Sequence, residues 1–309
     1  MTKFYLAPME GVTTYTYRNI FDEFYGGIDK YYTPFISSVG LKGKVLREIS
    51  KETNNVSNLV PQILTNNPET FLIIADKLKN MGYKEVNLNI GCPSKTVTSK
   101  GRGAAMLRDL DALSDFLKEI TENSSMDISV KTRLGIESIS EWPKILDILN
   151  KFNIKELTIH ARLLNEMYKG NAHMDVFAES MHHTDIPLCY NGDITDMDSY
   201  QRLMELCDGS FAVMIGRGLI ADPALALKLA NAYDDVTDNK IDKRFINFHK
   251  KLFAVYTERF SGDKQMLYKI KELWTFWNTY LNIDPKIYKK IIKSKSIAEY
   301  KGLVAMLGL

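Results

Sequence analysis

Glu85-Val86-Asn87-Leu88-Asn89-Ile90-Gly91-Cys92-Pro93-Ser94 decides how this chain is read. The apolar run is a strand. Gly91 lets the backbone turn sharply behind it, and Pro93, with a fixed φ and no N–H, stiffens the exit, so the segment presents a thiol at a strand's C-terminal end. Val97, Gly101, Arg102, Gly103, Ala104, Ala105, Met106 and Leu107 follow as a glycine-punctuated loop placed to close over a ligand. A lone free cysteine is most often a small buried hydrophobe. The rest of the chain decides whether Cys92 is more than that.

Working outward, short β-rich runs recur at Phe4–Ala7, Lys30–Phe35, Leu59–Leu64, Glu85–Asn89, Asp127–Lys131, Glu156–His160, Ile186–Tyr190 and Ser210–Ile215. Amphipathic stretches such as Pro68–Met81, Asp109–Glu122, Glu141–Phe152, Asp196–Leu206 and Pro223–Ala232 separate most of them. Eight strands alternating with helices over about 230 residues predict an α/β protein of the (β/α)8 (TIM) barrel kind. A doubly wound sheet competes, but the first strand is followed by Pro8-Met9-Glu10-Gly11 and no Gly-x-Gly-x-x-Gly. Past residue 235 the alternation stops, and Ile241–Phe260, Gln265–Leu281, Pro285–Lys293 and Ile297–Leu307 read as helices. The expected organisation is a catalytic barrel over 1–234 and a small all-helical C-terminal domain over 235–309. Trp274, Phe276, Trp277 and Tyr280 read as that domain's core and barrel-facing stripe.

At 309 residues and 45% apolar content, the chain exceeds what one core usually holds. No apolar run approaches the roughly 20 residues that span a bilayer. Met1-Thr2-Lys3 leads into a strand without a signal-peptide pattern, so a cytoplasmic protein is expected. Cys92, Cys189 and Cys207 are odd in number and scattered, which excludes a disulfide framework and a zinc site. His173, His182, His183 and His249 show no ligand spacing, so no metal is expected. The net charge of +2 says little. Its distribution says more: residues 235–309 hold 15 Lys and Arg against 8 Asp and Glu, leaving 25 against 30 in the rest. Such asymmetry hints at a polyanionic partner for the basic part, with a lysine-rich solvated surface as the plainer reading.

The C-terminal ends of barrel strands form the active-site face. In strand order this chain places there Pro8-Met9-Glu10-Gly11, Gln62, Asn89 and Cys92, Lys131 and Arg133, His160 and Arg162, Asn191-Gly192-Asp193, and Gly216-Arg217-Gly218. Polar groups converging on a barrel interior are costly unless something satisfies them, which points to a bound cofactor. The last two turns suit a phosphate: their glycines let backbone N–H groups approach an anion, Arg217 adds a charged fork, and Asp222-Pro223 reads as a helix N-cap with proline at N1. Lys131 has three readings: a cation beside an electron-rich ring, a Schiff-base amine, or a buried ion-pair partner. His160 is either a satisfied core histidine or part of the site.

Through Leu6-Ala7-Pro8-Met9-Glu10-Gly11-Val12, Asn89-Ile90-Gly91-Cys92-Pro93 with Gly101-Arg102-Gly103-Ala104, Val130-Lys131-Thr132-Arg133, His160-Ala161-Arg162, Asn191-Gly192-Asp193-Ile194 and Ile215-Gly216-Arg217-Gly218, the chain closely resembles the tRNA-dihydrouridine synthases. These are flavin enzymes with a (β/α)8 barrel and a helical C-terminal domain, and the likeness spans essentially the whole chain. The resemblance implies that Pro8 and Met9 lie against the ring of FMN and that Gln62 hydrogen-bonds it. It implies that Lys131 neutralises charge at the pyrimidine side of the reduced ring and that His160 flanks it. Asn191, Gly192, Asp193, Gly216 and Arg217 would hold the ribityl chain and phosphate. By the same resemblance Asn89, Arg133 and Tyr168 would contact the target uracil. The implied reaction takes reducing equivalents from NADPH, passes a hydride from FMN to C6 of a uracil, and protonates C5 from Cys92, which must therefore remain a thiol. The base has to leave its stack in tRNA, and Lys286, Lys289, Lys290, Lys293 and Lys295 form a cationic patch suited to the RNA backbone. No obligate protein partner is implied. The rivals are an FMN-dependent dihydroorotate or dihydropyrimidine dehydrogenase acting on a free base, a Schiff-base aldolase using Lys131, and a non-catalytic RNA-binding barrel.

Overall fold

A computed structural model describes residues 2–232 and 240–309. Its sheet is all parallel and has nine strands: β1 (Lys3–Leu6), β2 (Lys30–Tyr32), β3 (Leu59–Val60), β4 (Gln62–Ile63), β5 (Glu85–Ile90), β6 (Asp127–Gly135), β7 (Leu157–Leu163), β8 (Leu188–Asn191) and β9 (Ala212–Ile215). The spatial order is β3-β2-β1-β9-β8-β7-β6-β5-β4. Its two ends are adjacent in sequence, so the sheet closes into a barrel. The single third strand expected over Leu59–Leu64 is thus two short ones, because Pro61 has no N–H to give a ladder. Leu59 and Val60 pair with Tyr31 and Tyr32, whereas Gln62 and Ile63 pair with Asn87 and Leu88. The Pro61 carbonyl still accepts from Asn87 N at 2.9 Å.

Around the barrel lie α1 (Tyr15–Phe24), α2 (Gly43–Ile49), α3 (Pro68–Asn80), α4 (Lys95–Thr98), α5 (Leu110–Asn123), α6 (Trp142–Leu149), α7 (Met174–Ser180), α8 (Met197–Leu206), α9 (Arg217–Ala221) and α10 (Leu225–Leu229). Side-chain caps mark the starts of α3, α5 and α8: Asn67 accepts from Thr70 N ahead of Pro68, Asp109 from Ala112 N, and Asp196 from Ser199 N. Strand side chains alternate between two environments. Outward residues such as Leu6, Leu88, Val130, Ile159 and Val213 join the helices in the main core, while Tyr5, Ala7, Tyr32, Val60, Cys189, Ala212 and Met214 cluster inside the barrel.

The barrel floor is polar and closed upon itself. Glu85 meets Lys30 and Lys155, each at 3.2 Å, and accepts from Ser129 Oγ at 2.8 Å. Glu156 meets Lys30 at 3.0 Å and accepts from the Tyr5 hydroxyl at 2.7 Å.

C-terminally, α11 (Lys243–Arg259), α12 (Asp263–Leu281), α13 (Pro285–Lys293) and α14 (Ile297–Ala305) match the four expected helices. Phe248 of α11 packs against the rings of Tyr17, Phe24 and Tyr25 on and beside α1, and α12 lies along α9. Trp274 and Trp277 are fully buried, and Trp274 Nε1 donates to the Tyr300 hydroxyl at 2.7 Å. Tyr280 faces the barrel side, where its hydroxyl accepts from Lys228 of α10 at 2.7 Å. The expected boundary at 234/235 lies outside the described residues.

Candidate active site

The Cys92 loop is held from three directions. Asn89 Oδ1 accepts the backbone N–H groups of Gly91 at 3.0 Å and Cys92 at 2.9 Å, and Arg133 Nε donates to the Gly91 carbonyl at 3.0 Å. The backbone comes so close to β6 that a Cβ on Gly91 would stand 3.0 Å from the Thr132 carbonyl carbon. Gly103 closes the far side at φ +59°, where a Cβ would meet the Cys92 carbonyl oxygen at 2.7 Å. Burial pushes the Cys92 thiol up, against the opposing pull of the Ser94 N–H and of the Lys131 and Arg133 cations. The shift favours the thiol over the thiolate.

β6 and β7 run further than the sequence suggests, to Gly135 and Leu163, so Lys131, Arg133, His160 and Arg162 stand within strands. Strand register sets the array: Arg133, His160, Asn191 and Met214 form one cross-strand row, and Lys131 pairs with Asn89 and Thr158 in another. Lys131 Nζ donates to Asn191 Oδ1 at 2.8 Å, and Asn191 Nδ2 donates to the Met214 carbonyl at 2.8 Å. Among the described residues Lys131 has no acidic partner, which disposes of the ion-pair reading. Burial, reinforced by Arg133, brings its pKa down to about 8. His160 is held well below its ordinary pKa by burial and by Lys131, Arg133, Arg162 and Arg217, so its ring is neutral. It makes no hydrogen bond to a described residue.

Gln62 belongs to a chain of amides. Asn89 Nδ2 donates to its Oε1 at 2.8 Å, its Nε2 donates to Asn87 Oδ1 at 2.8 Å, and Asn87 Nδ2 donates to Ser129 Oγ at 3.0 Å. One Gln62 N–H is left over. Asn87 and Ser129 were not singled out in the sequence; their place two residues apart from Asn89 and Lys131 on the same strand face was the available signal. Pro8 and Met9 follow β1, and Met9 N donates to Thr13 Oγ1 at 2.8 Å.

At the opposite rim, the Asp193 carboxylate binds Arg162 and, at 2.8 Å, Arg217. Arg162, 1% exposed, stood among the strand-end residues of the sequence without a role, and the structure gives it one as the support of Asp193. Gly192 is glycine because a Cβ would fall 2.0 Å from the Tyr190 hydroxyl, and Gly218 because one would fall 2.2 Å from the Ile194 carbonyl. Gly216, by contrast, would meet only Ala7 and the Met9 sulfur at 3.4 and 3.6 Å. The expected cap at Asp222-Pro223 is displaced: Gly216 leads directly into α9, Asp222 accepts from Ala224 N at 3.1 Å, and α10 starts at Leu225. Tyr168, 53% exposed, lies between the guanidinium groups of Arg133 and Arg217 at 5.4 and 5.3 Å from its ring centroid, and 6.0 Å from His160.

Lys286, Lys289, Lys290, Lys293 and Lys295 are all exposed on and just beyond α13, in no ion pair with a described residue. The structure therefore gathers every barrel residue from the sequence reading at one strand-end face and puts the lysines on a separate element. Among the described residues no group of three or more His, Cys, Asp or Glu is placed to hold a metal ion.

The mouth is rich in uncommitted donors. Lys131 uses one of three N–H bonds, His160 and the buried Arg133 Nη2 have no hydrogen-bond partner among the described residues, and Arg217 is half-exposed. Unpaired buried donors are costly, so such a set fits an electron-rich ligand carrying an anionic end. Against known families, the description dihydrouridine synthase (Dus) matches residues 5–292. The chain belongs to the dihydrouridine synthase family. Its Dus match runs from β1 through nearly all of α13. The probable tRNA-dihydrouridine synthase of Staphylococcus aureus (strain COL) is 28% identical over 97% of this chain and 92% of that protein. The tRNA-dihydrouridine(16) synthase of Shigella flexneri is 34% identical over 72% of this chain and 73% of that protein. Among solved structures, histamine dehydrogenase from Rhizobium sp. 4-9 superposes with a TM-score of 0.51 at 14% identity, over 74% of this chain and 45% of that one, a likeness of fold.

Proposed function

We propose that this Dus-family chain reduces the C5–C6 double bond of a uridine in tRNA to 5,6-dihydrouridine, using FMN recharged by NADPH. Family membership and the names of both relatives support the reaction. The buried Arg133 Nη2, without a hydrogen-bond partner among the described residues, and the two unused N–H bonds of Lys131 support a ligand at the mouth. Bound there, FMN supplies hydride chemistry, accepting from NADPH and delivering to C6 of the uracil.

The chain's own residues divide the remaining tasks. Cys92 gives a proton to C5, and the clamping of its backbone by Asn89 at the strand end, with burial pushing the thiol up, is the observation that carries this reading. Pro8 and Met9 cover the ring, with the spare N–H of Gln62 and the ammonium of Lys131 at its polar edge. His160 flanks the ring as a neutral imidazole, so it adds no charge repelling Lys131. Asn191, Gly192, Asp193, Gly216 and Arg217 hold the ribityl and phosphate end; Asp193, itself fixed by Arg162, aims the Arg217 fork. Asn89, Arg133 and Tyr168 hold the uracil, with Tyr168 supplying a stacking surface.

In this reading residues 1–234 are the catalytic barrel and residues 235–309 the tRNA-binding domain, with Lys286, Lys289, Lys290, Lys293 and Lys295 on the RNA backbone. The enzyme works in the cytoplasm, where its tRNA is, without a required protein partner. Five exposed, unpaired lysines favour RNA over a free base, which needs no such surface. The test is to incubate the purified protein with NADPH and unmodified tRNA, uracil or orotate and to measure dihydropyrimidine product. Product in tRNA alone is expected; turnover of the free bases with none in tRNA rejects the proposal.

A further inference from the structure

A second pocket, apart from the mouth, has no role in the reaction above. It encloses about 570 Å³ between the barrel and the C-terminal helices, and its wall carries Lys44, Arg47, Arg259 and Lys269 with no carboxylate. Two of these cations are already placed by the protein: Arg259 lies over the Tyr15 ring at 4.5 Å and donates to Thr16, and Lys269 donates to the Gly11 carbonyl at 3.0 Å and meets Glu272 at 2.9 Å. Lys44 reaches Glu10 at 3.0 Å with both groups half-exposed. Arg47 is exposed, and its guanidinium has no partner among the described residues. Beside Arg47 in sequence, the buried Glu48 gives its Oε2 to Arg18 and the Tyr15 N–H, and its Oε1 has no hydrogen-bond partner among the described residues. Tyr256 is 3% exposed and lines the cavity, and its hydroxyl finds no hydrogen-bond partner in the described protein.

An anion with a flat, partly polar body fits this wall: cations for a phosphate, tyrosine for a base or ribose, and an unmet hydroxyl for one hydrogen bond. We propose that the pocket binds one nucleotide of the tRNA strand next to the target uridine, phosphate toward Arg47 and Lys44 and base along Tyr15, within reach of the Tyr256 hydroxyl. This rests on the tRNA reading above and deepens it. Two placements favour an RNA strand over a free nucleotide. Gly11 of the wall is two residues from Met9, so the pocket opens beside the mouth into which the uridine must be turned. It is also built jointly by the barrel and by α11 and α12, and a strand held by both parts must cross that seam.

The experiment compares the full chain with Arg47→Glu and Arg47→Lys, after equal thermal melts establish folding. Binding of an unmodified tRNA transcript is measured across a salt series, and NADPH binding is measured in parallel. Arg47→Glu is expected to weaken tRNA binding about tenfold and to flatten the salt dependence by about 0.7 in log–log slope, the share of one single-strand phosphate contact. Arg47→Lys is expected to keep the slope. If wild type binds tRNA and Arg47→Glu matches it in affinity and slope, the pocket proposal is overturned alone. If Arg47→Glu loses NADPH affinity and leaves tRNA untouched, the pocket is a dinucleotide site and the proposal is overturned by reassignment. A wild-type chain that binds no tRNA overturns the proposed function as well.

Discussion

The floor and the mouth of this barrel are both polar, yet they are polar in opposite ways. At the floor, Glu85, Glu156, Lys30, Lys155, Ser129 and Tyr5 answer one another's hydrogen-bonding needs. At the mouth, Lys131, His160 and Arg133 present donors that the protein itself does not use. The floor is complete without anything else, whereas the mouth is arranged for a guest. Polarity inside a barrel is therefore informative only together with an account of which groups are paired.

The comparison breaks most visibly at the floor. Lys30→Met leaves the largely buried Glu156 with no cation and Glu85 with Lys155 alone, and should cost about 3 kcal/mol in denaturant-unfolding stability. Activity per folded molecule should be kept; lost turnover at full stability would erase the distinction. At the mouth, Cys92→Ala should leave stability and bound flavin unchanged and slow uridine reduction by about 10²-fold or more, the size of a positioned general acid. Wild-type turnover in that variant would remove Cys92 from the chemistry.

Lys131 sharpens the contrast through pH. Its folded pKa of about 8 lies below the ordinary lysine value, so between pH 8 and about 10.4 the unfolded chain binds more protons than the folded one. In ligand-free protein its contribution to stability should therefore rise with pH across that window, by at most about 1.4 kcal/mol per pH unit. Subtracting the Lys131→Met profile from wild type isolates it, and a flat or falling difference would mean the ammonium is not buried as described. The smallest effect is expected on the outer surface: replacing Lys289, Lys290 and Lys293 with alanine should lower the log–log salt slope of tRNA binding by roughly one unit or less per lost contact, with no change in melting temperature.

Much of this was legible in the chain. Strand positions follow from β-rich runs, and the site residues from their place just after them, because a barrel delivers the ends of all its strands to one face. What escaped was long-range pairing. No local signal in Leu59–Leu64 says that its two halves ladder to different neighbours, although Pro61 marks the break. Nor does a single strand announce that Asn89 caps the Cys92 backbone or that Arg162 braces Asp193, since those partners meet only through register and closure. The glycines at 192 and 218 looked like phosphate turns and are also required by a tyrosine hydroxyl and a carbonyl that no sequence window contains.

The split at Pro61 leaves the ring fastened by two-residue ladders on either side of the break, no longer than the β1–β2 pairing and shorter than every other joint in the sheet. Breathing of the barrel, seen as amide hydrogen exchange, will begin there. Because Gln62 stands on one lip of that joint, whatever grips its amide from the mouth also rivets the hoop shut, coupling occupancy of the site to the rigidity of the whole cylinder.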